Sequence, residues 1–189
     1  ECAHCYISAG PAVKAVEADG AVTELDTGAC LRIIDQIIAV NPAPLLILSG
    51  GEPLLRQDLT QIAAYASQRG ATVVVGTNGT LLTDERIAAL KSAGVTGVAV
   101  SIDSLRPSYH DNFRHGKGSL DDTMMALGRM RAQQLDFIIQ TTATKGNRAE
   151  LERIAQWSAE QGAVAFNCYF LVATGRGAGL SDLAPAEYE

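Results

Sequence analysis

Two cysteines near the start of the sequence form a C-x-x-C pair with clear potential for chemistry. Cys2 and Cys5 are separated by Ala3 and His4, and the aromatic Tyr6 follows directly. A zinc site could use Cys2, Cys5 and His4, but tetrahedral coordination needs a fourth ligand and no second C-x-x-C or H-x-x-x-H pair is present. A thioredoxin-like pair normally follows a strand and opens a helix, whereas a loop is predicted here. Iron–sulfur ligation by thiolates is the third possibility.

Five further clusters of small and hydrogen-bonding residues follow short apolar runs along the chain. Glycines allow a ligand to approach the backbone closely, and hydroxyl, amide and carboxylate groups can hold a polar organic molecule. A zwitterionic or sugar-bearing ligand suits this set, while each cluster alone is also typical of a turn that leaves a strand. The clusters lie at residues 49–53, 77–80, 101–104, 141–144 and 174–177.

The elements that would position these clusters alternate between strands and helices. Thr27 is a predicted N-cap of the first helix, and Thr83 of the third. Apolar strands separated by helices predict βαβ units in one parallel sheet, either an open doubly wound sheet or part of a (β/α) barrel. In both folds the chemistry lies at the C-terminal strand ends. Strands are predicted at 45–48, 72–75, 98–102, 137–142 and 165–172, and helices from the Thr27 cap to residue 40 and at 58–69, 83–93, 119–134 and 150–161.

Length, charge and hydropathy argue against several classes of protein. A chain of 189 residues suits one domain with a sizeable core, and 15 basic against 21 acidic residues give a net charge of −6. That sign disfavours binding to a phosphate backbone, and no apolar run approaches the roughly 20 residues of a membrane span. Since no export signal is present, we expect a cytoplasmic protein with neither nucleic-acid nor membrane partners. Cys30 and Cys168 are predicted core residues.

Taken together, the motifs resemble the core of a radical S-adenosylmethionine (radical SAM) enzyme. Cys2 and Cys5 match the second and third cysteines of that family's C-x-x-x-C-x-x-C loop, whose first cysteine would lie three positions before Glu1. The G-G-E-P motif at 50–53, the T-N-G motif at 77–79 and the S-x-D motif at 101–103 follow in the family's order. The resemblance covers essentially the whole chain. It implies an α/β fold, a partial (β/α) TIM-like barrel of about five to six parallel strands whose first strand lies upstream.

The resemblance also implies cofactors and residue roles. Cys2 and Cys5 would bind two irons of a [4Fe–4S] cluster, which would cleave SAM reductively to a 5′-deoxyadenosyl radical. No catalytic side chain beyond the cluster and SAM is implied. The implied cofactor-binding residues are Tyr6 after the cysteines; Gly50, Gly51, Glu52 and Pro53 along the methionine amino group; Thr77 and Asn78 in the same pocket; Ser101, Asp103 and Arg114 at the methionine carboxylate and ribose; Gln140 and Thr142 near the ribose; and Leu171 and Val172 near adenine.

The segment at residues 168–177 resembles the F-L-V-P-T-G-R-G stretch of a subgroup that includes haem-biosynthesis enzymes and relatives with a SPASM-type extension, with Ala173 in place of the proline. The implied substrate is a tetrapyrrole side chain or a ribosomal peptide precursor, and the implied partner is a reductant such as flavodoxin or ferredoxin. A non-catalytic iron–sulfur or zinc-binding module is the alternative from another class. Residues 1–189 are predicted to be one core domain truncated at both ends, with auxiliary clusters after Glu189.

Overall fold

The computed structural model describes residues 2–5, 24–180 and 183, and strands alternate with helices through most of this length. The strands are β1 (Leu45–Leu48), β2 (Thr72–Thr77), β3 (Val95–Ser101), β4 (Asp136–Ala143) and β5 (Ala165–Phe170). The helices are α1 (Thr27–Val40), α2 (Leu59–Gln68), α3 (Asp84–Ser92), α4 (Pro107–Arg114), α5 (Ser119–Ala132) and α6 (Leu151–Glu160). Short 3₁₀ turns follow β1, β4 and β5 at Pro53–Leu55, Arg148–Glu150 and Gly175–Gly179. None of the described helices is long and apolar enough to cross a membrane.

The five described strands run parallel, in the spatial order β1-β2-β3-β4-β5. A doubly wound sheet reverses its strand order partway across, whereas consecutive neighbours throughout are the arrangement of a (β/α) barrel. The sheet is a curled half-barrel with helices packed on its convex face, and the prediction of a partial TIM-like barrel is confirmed. Because the strands are parallel, their C-terminal ends meet at one rim.

The hydrophobic core lies between the convex face of the sheet and the helices. Val73 and Val75 of β2 and Phe137 and Ile139 of β4 are almost fully buried, while the residues between them are more exposed. Side chains alternate between the two faces of a strand, so the intervening residues line the concave face. Burying an aliphatic or aromatic side chain contributes about 1.5–3 kcal/mol. The helices complete the core with Ile62, Ile87, Leu127, Met130 and Ile154.

Side chains cap the N-termini of α1 and α3. Thr83 is the N-cap of α3 as predicted, and its hydroxyl accepts a hydrogen bond from a backbone N–H of the first turn (3.3 Å). The predicted cap of α1 is wrong by one residue, because the Asp26 carboxylate accepts from the N–H of Ala29 (2.6 Å). Thr27 is the first helical residue, and its hydroxyl donates to Asp58. A carboxylate at this position also interacts favourably with the positive end of the helix dipole.

A helix and a cysteine differ from the sequence-based expectation. The pattern does not predict α4, because only His110 and Phe113 of this helix are buried and no apolar stripe marks it. Cys168 is exposed, although it was expected in the core, since β5 is the last described strand and no described helix follows it to cover that face. Cys30 is half-buried and packs against the core, in line with the prediction.

Candidate functional site

The turn that carries both cysteines docks on the C-terminal end of α4. We call residues 2–5 the cysteine turn. The backbone N–H of Ala3 donates to the carbonyl of Phe113 (2.8 Å), and the His4 ring stacks on the Phe113 ring with centroids 4.6 Å apart and an interplanar angle of 6°. Burial, together with the nearby Arg114 charge, lowers the pKa of His4 to about 4. The stacked ring is therefore neutral at pH 7.

The 3₁₀ turn at Gly175–Gly179 also holds the cysteine turn. The backbone N–H of Arg176 donates to the carbonyl of Cys5 (3.0 Å), and its Nε donates to the carbonyl of Cys2 (2.9 Å). A Cβ on Gly177 would lie 3.3 Å from a carbonyl oxygen of the cysteine turn, so a glycine here allows the two backbones to approach this closely. Segments from opposite ends of the described chain thus meet at the two cysteines.

Two nitrogen atoms at this junction are buried and have no hydrogen-bond partner among the residues described. They are Nδ1 of His4 and Nη2 of Arg176. An unpaired buried polar group costs about 1–3 kcal/mol, so such atoms commonly indicate the position of a ligand or a water molecule. The charge of Arg176 favours an anionic group beside the two thiols, which are half-buried and not joined in a disulfide.

A buried ion pair connects the cysteine turn to the end of β3. Arg114 donates from Nη1 to the sulfur of Cys2 (3.7 Å) and from Nε to the carboxylate of Asp103 (2.6 Å). Asp103 is fully buried, and its second carboxylate oxygen accepts the backbone N–H of Thr142 (2.9 Å). Burial acts to raise the pKa of Asp103, but Arg114 holds that pKa below its ordinary value. Burial likewise acts to lower the pKa of Arg114, yet Asp103 and Cys2 raise it.

A neutral histidine and an asparagine hold the backbone around Asp103. Nδ1 of the buried His110 ring accepts a hydrogen bond from the N–H of Asp103 (3.2 Å). Nδ2 of Asn147 donates to the carbonyls of Asp103 (2.8 Å) and Thr142 (2.9 Å). Burial lowers the pKa of His110 to about 4, so the ring stays neutral and able to accept at pH 7.

The buried His110 ring predicts that stability falls as the pH drops from about 6.5 towards 4. An unfolded histidine has a pKa of about 6.5, whereas the folded ring titrates at about 4. In this range the unfolded chain binds more protons, so acid favours unfolding, by about 2 kcal/mol between pH 7 and pH 5. For His110→Gln we expect lower stability at pH 7 and a smaller dependence on pH. Urea unfolding at the two pH values measures both, and an unchanged pH dependence in the variant would contradict this assignment.

The Glu52 carboxylate joins the loop after β1 to the loop after β2. It accepts hydrogen bonds from the Thr77 hydroxyl (2.7 Å), the backbone N–H of Asn78 (2.9 Å) and the backbone N–H of Leu54 (3.1 Å). Burial raises the pKa of Glu52, although these hydrogen bonds act in the opposite direction. A carboxylate offers about four lone-pair sites, so one is left for a donor on a ligand.

The loop after β1 also presents accessible backbone. Gly50 and Gly51 are exposed, and Gly50 has a φ of +151°, a conformation that L side chains rarely adopt. No described atom lies within 4 Å of the position that a Cβ of Gly50 would take. Pro53 is half-buried and begins the 3₁₀ turn that ends the loop. The N–H and C=O groups of the two glycines are therefore open to a ligand.

Polar side chains form a row across the concave face of the sheet. Ser101 of β3 pairs in register with Gln140 of β4, and Gln140 pairs with Asn167 of β5. Partners in register lie on the same face. Thr142 pairs with Tyr169 one step further along, and Nε2 of Gln140 donates to the Tyr169 hydroxyl (3.2 Å). The sequence analysis missed Asn167 and Tyr169, and the parallel register with Gln140 and Thr142 is the signal that finds them.

The remaining predicted site residues have different environments. Asp103 is buried and its described partners belong to the protein. Leu171 is buried as well, whereas Val172 is 64% exposed. Tyr6 lies outside the described residues. For all these residues the assignment to a cofactor stays a prediction.

Comparisons with known proteins point to one family. The Radical SAM superfamily model matches residues 1–158. An AdoMet-dependent heme synthase of Methanosarcina barkeri is 40% identical over 100% of this chain and 52% of that protein. Another, of Nitratidesulfovibrio vulgaris, is 37% identical over 88% of this chain and 46% of that protein. The mycofactocin maturase MftC of Mycolicibacterium smegmatis is 32% identical over 96% of this chain and 44% of that protein.

A solved structure has the same fold. Native anSMEcpe with bound AdoMet and Kp18Cys peptide superposes with a TM-score of 0.76 at 14% identity, over 100% of this chain and 53% of that one. The chain spans about half the length of the curated relatives it matches. Because the family model covers residues 1–158 of the 189, the chain belongs to the radical SAM superfamily.

Proposed function

We propose that residues 1–189 are the core domain of a radical SAM enzyme, in which Cys2 and Cys5 bind two irons of a [4Fe–4S] cluster. Family membership implies both the cluster and SAM. The remaining ligand, the first cysteine of the C-x-x-x-C-x-x-C loop, would lie three positions before Glu1. An extension with auxiliary clusters would follow Glu189.

The contact of Arg114 with the Cys2 sulfur is the observation that carries this proposal. The Arg114 guanidinium is also paired with Asp103, which directly follows β3 at the rim of the sheet. Its contact with Cys2 therefore supports a position of the thiols at this rim, beside the polar residues that follow the strands. Two thiols beside the unpaired buried nitrogens of His4 and Arg176 also fit an anionic iron–sulfur group.

The chemistry of the rim fits SAM, which carries an ammonium, a carboxylate and a sulfonium. The unused lone pair of Glu52 and the backbone carbonyls of Gly50 and Gly51 would accept from the ammonium. Arg114 has five N–H donors, and those not used by Asp103 and Cys2 would bind the carboxylate. Opposite charges would then meet at both ends of the methionine.

The nucleoside would lie along the polar row of the concave face. Ser101, Gln140 and Thr142 offer hydroxyl and amide groups for the ribose. Thr77 and Asn78 would line the methionine pocket. Leu171 and Val172 would contact adenine, and Tyr6 would lie near the cluster.

The cluster and the protein chain have different roles in the proposed reaction. Held by Cys2 and Cys5, the cluster would supply the one electron for reductive cleavage of SAM to methionine and a 5′-deoxyadenosyl radical, which would abstract hydrogen from the substrate. The chain would bind and orient SAM through the groups at the rim and the polar row of the concave face.

A tetrapyrrole side chain is the substrate that the relatives favour. Heme synthases reach 40% and 37% identity, compared with 32% for the peptide maturase MftC. A ribosomal peptide precursor is the second candidate, because that relative matches 96% of this chain. A flavodoxin or ferredoxin would supply the electron.

The test uses the full-length protein, reconstituted anaerobically with iron and sulfide, reduced, and given SAM. 5′-Deoxyadenosine is measured without substrate, with candidate precursor peptides, and with Fe-coproporphyrin III, a tetrapyrrole that is the named product of a 33% identical relative and is tested as a substrate of this protein. We expect the tetrapyrrole to increase product formation and to be modified itself. Stimulation by a peptide alone would favour the maturase. A cluster without SAM cleavage would support the non-catalytic module.

A further inference from the structure

Two different segments hold two different parts of the cysteine turn. The middle of the turn rests on α4 through the backbone of Ala3 and the ring of His4. The two ends contact Arg176, whose side-chain Nε donates to the carbonyl of Cys2 and whose backbone N–H donates to the carbonyl of Cys5. The carbonyls are bonded directly to the Cα atoms of the two cysteines, so these contacts restrict the orientation of both thiols.

Arg176 also differs from Arg114 in its charge balance. The positive charge of Arg114 is neutralised by the buried carboxylate of Asp103. Among the residues described, no carboxylate pairs with Arg176, and its Nη2 is buried without a partner. Within the part of the chain that the structure describes, Arg176 is therefore a cation at the cysteine turn with no paired carboxylate and with one N–H group still available.

We infer that Arg176 is a positioning residue for the iron–sulfur cluster: it holds the carbonyls of Cys2 and Cys5 in place and supplies an N–H donor and a positive charge to the cluster. This inference rests on the proposed function. Hydrogen bonds to cluster sulfurs and nearby charge set the reduction potential. A cation favours the reduced, more negative state, so Arg176 should raise the potential and make reduction easier.

The test compares the full-length wild type with Arg176→Met, Arg176→Lys and a control, Arg153→Met, which changes an exposed arginine on α6. After reconstitution, iron release to a chelator is followed, and the midpoint potential is measured by electron paramagnetic resonance during redox titration. We expect Arg176→Met to release iron about tenfold faster, as for the loss of one charge-assisted hydrogen bond. Its midpoint potential should be lower than that of the wild type.

The lysine variant separates charge from hydrogen-bond geometry. Lysine keeps the positive charge but has no planar fork. Arg176→Lys should therefore keep a potential near that of the wild type while it still releases iron faster. The potential is the readout that a purely structural role would not move, and the melting temperature of the cluster-free proteins shows whether each variant is folded.

Each outcome bears on a separate claim. Iron release and a potential equal to the wild type in Arg176→Met would overturn the inference. Equal potential shifts in the lysine and methionine variants would overturn the role of charge. A wild type that holds the cluster but does not cleave SAM would overturn the proposed function and leave the inference about cluster binding standing.

Discussion

Replacing both cysteines of the cysteine turn, by Cys2→Ala and Cys5→Ala, is expected to abolish SAM cleavage by the full-length protein. Thiolates are the ligands of iron–sulfur clusters, and the double variant removes both that this turn provides. Without the cluster no electron reaches SAM, so 5′-deoxyadenosine should fall to background. Iron content and product formation after anaerobic reconstitution measure the two losses together.

The double cysteine variant should remain folded, which makes its loss of activity interpretable. The turn is held by the backbone of Ala3, by the His4 ring and by Arg176, and these contacts do not need the sulfur atoms. Cys168→Ala is the matched control, because this exposed cysteine lies on β5 and has no predicted role at the cluster. Product at wild-type level in the double variant would rule out cluster ligation by this pair.

Replacing Asp103 by asparagine is expected to lower the free energy of unfolding by about 3–5 kcal/mol. The substitution leaves the Arg114 guanidinium, 11% exposed, without its counter-charge. It also weakens the acceptor for the N–H of Thr142. Urea unfolding of the cluster-free protein at pH 7 measures the loss, and Arg114 should then hold Cys2 less firmly, so that cluster uptake falls as well.

A double-mutant cycle tests whether this cost comes from the ion pair. Asp103→Asn combined with Arg114→Met removes both buried charges and should be less destabilising than the sum of the two single changes. Simple additivity would show that the two side chains contribute independently. Glu160→Gln, at an exposed carboxylate at the end of α6, is expected to change stability by less than about 0.5 kcal/mol.

The strands and the motifs at the rim could be predicted because both depend on the types of residues that are close together in the sequence. A wholly apolar run bounded by Pro44 and Gly50 predicts a strand buried on both faces, and the structure has β1 at Leu45–Leu48. The predicted burial is wrong, because Leu45 and Ile47 are 62% and 55% exposed on this edge strand of the described sheet. The ends of the strands were less certain from the sequence. β3 begins at Val95, earlier than the predicted 98, because the polar Thr96 and the small Gly97 interrupt its apolar pattern.

The site residues that were missed depend on pairing between strands or on packing between distant segments. Asn167 and Tyr169 become candidates only through their register with Gln140 and Thr142. α4 has few apolar residues, so tertiary contacts must stabilise it more than intrinsic helix propensity does. Its His110 and Phe113 are buried against the loop after β3 and the cysteine turn.

The amino-acid sequence by itself determined the order of the five described strands and of every described helix except α4, the position of the motifs at strand ends, and the cysteine pair. Each of these depends on side-chain type within a few residues. Only the tertiary structure decided what surrounds the thiols. Cys2 meets Arg114 and Arg176 across separations of 112 and 174 residues. Such contacts form because the half-barrel brings the ends of its strands to one rim. A pattern of neighbouring residues carries no information about contacts between residues so far apart in the sequence.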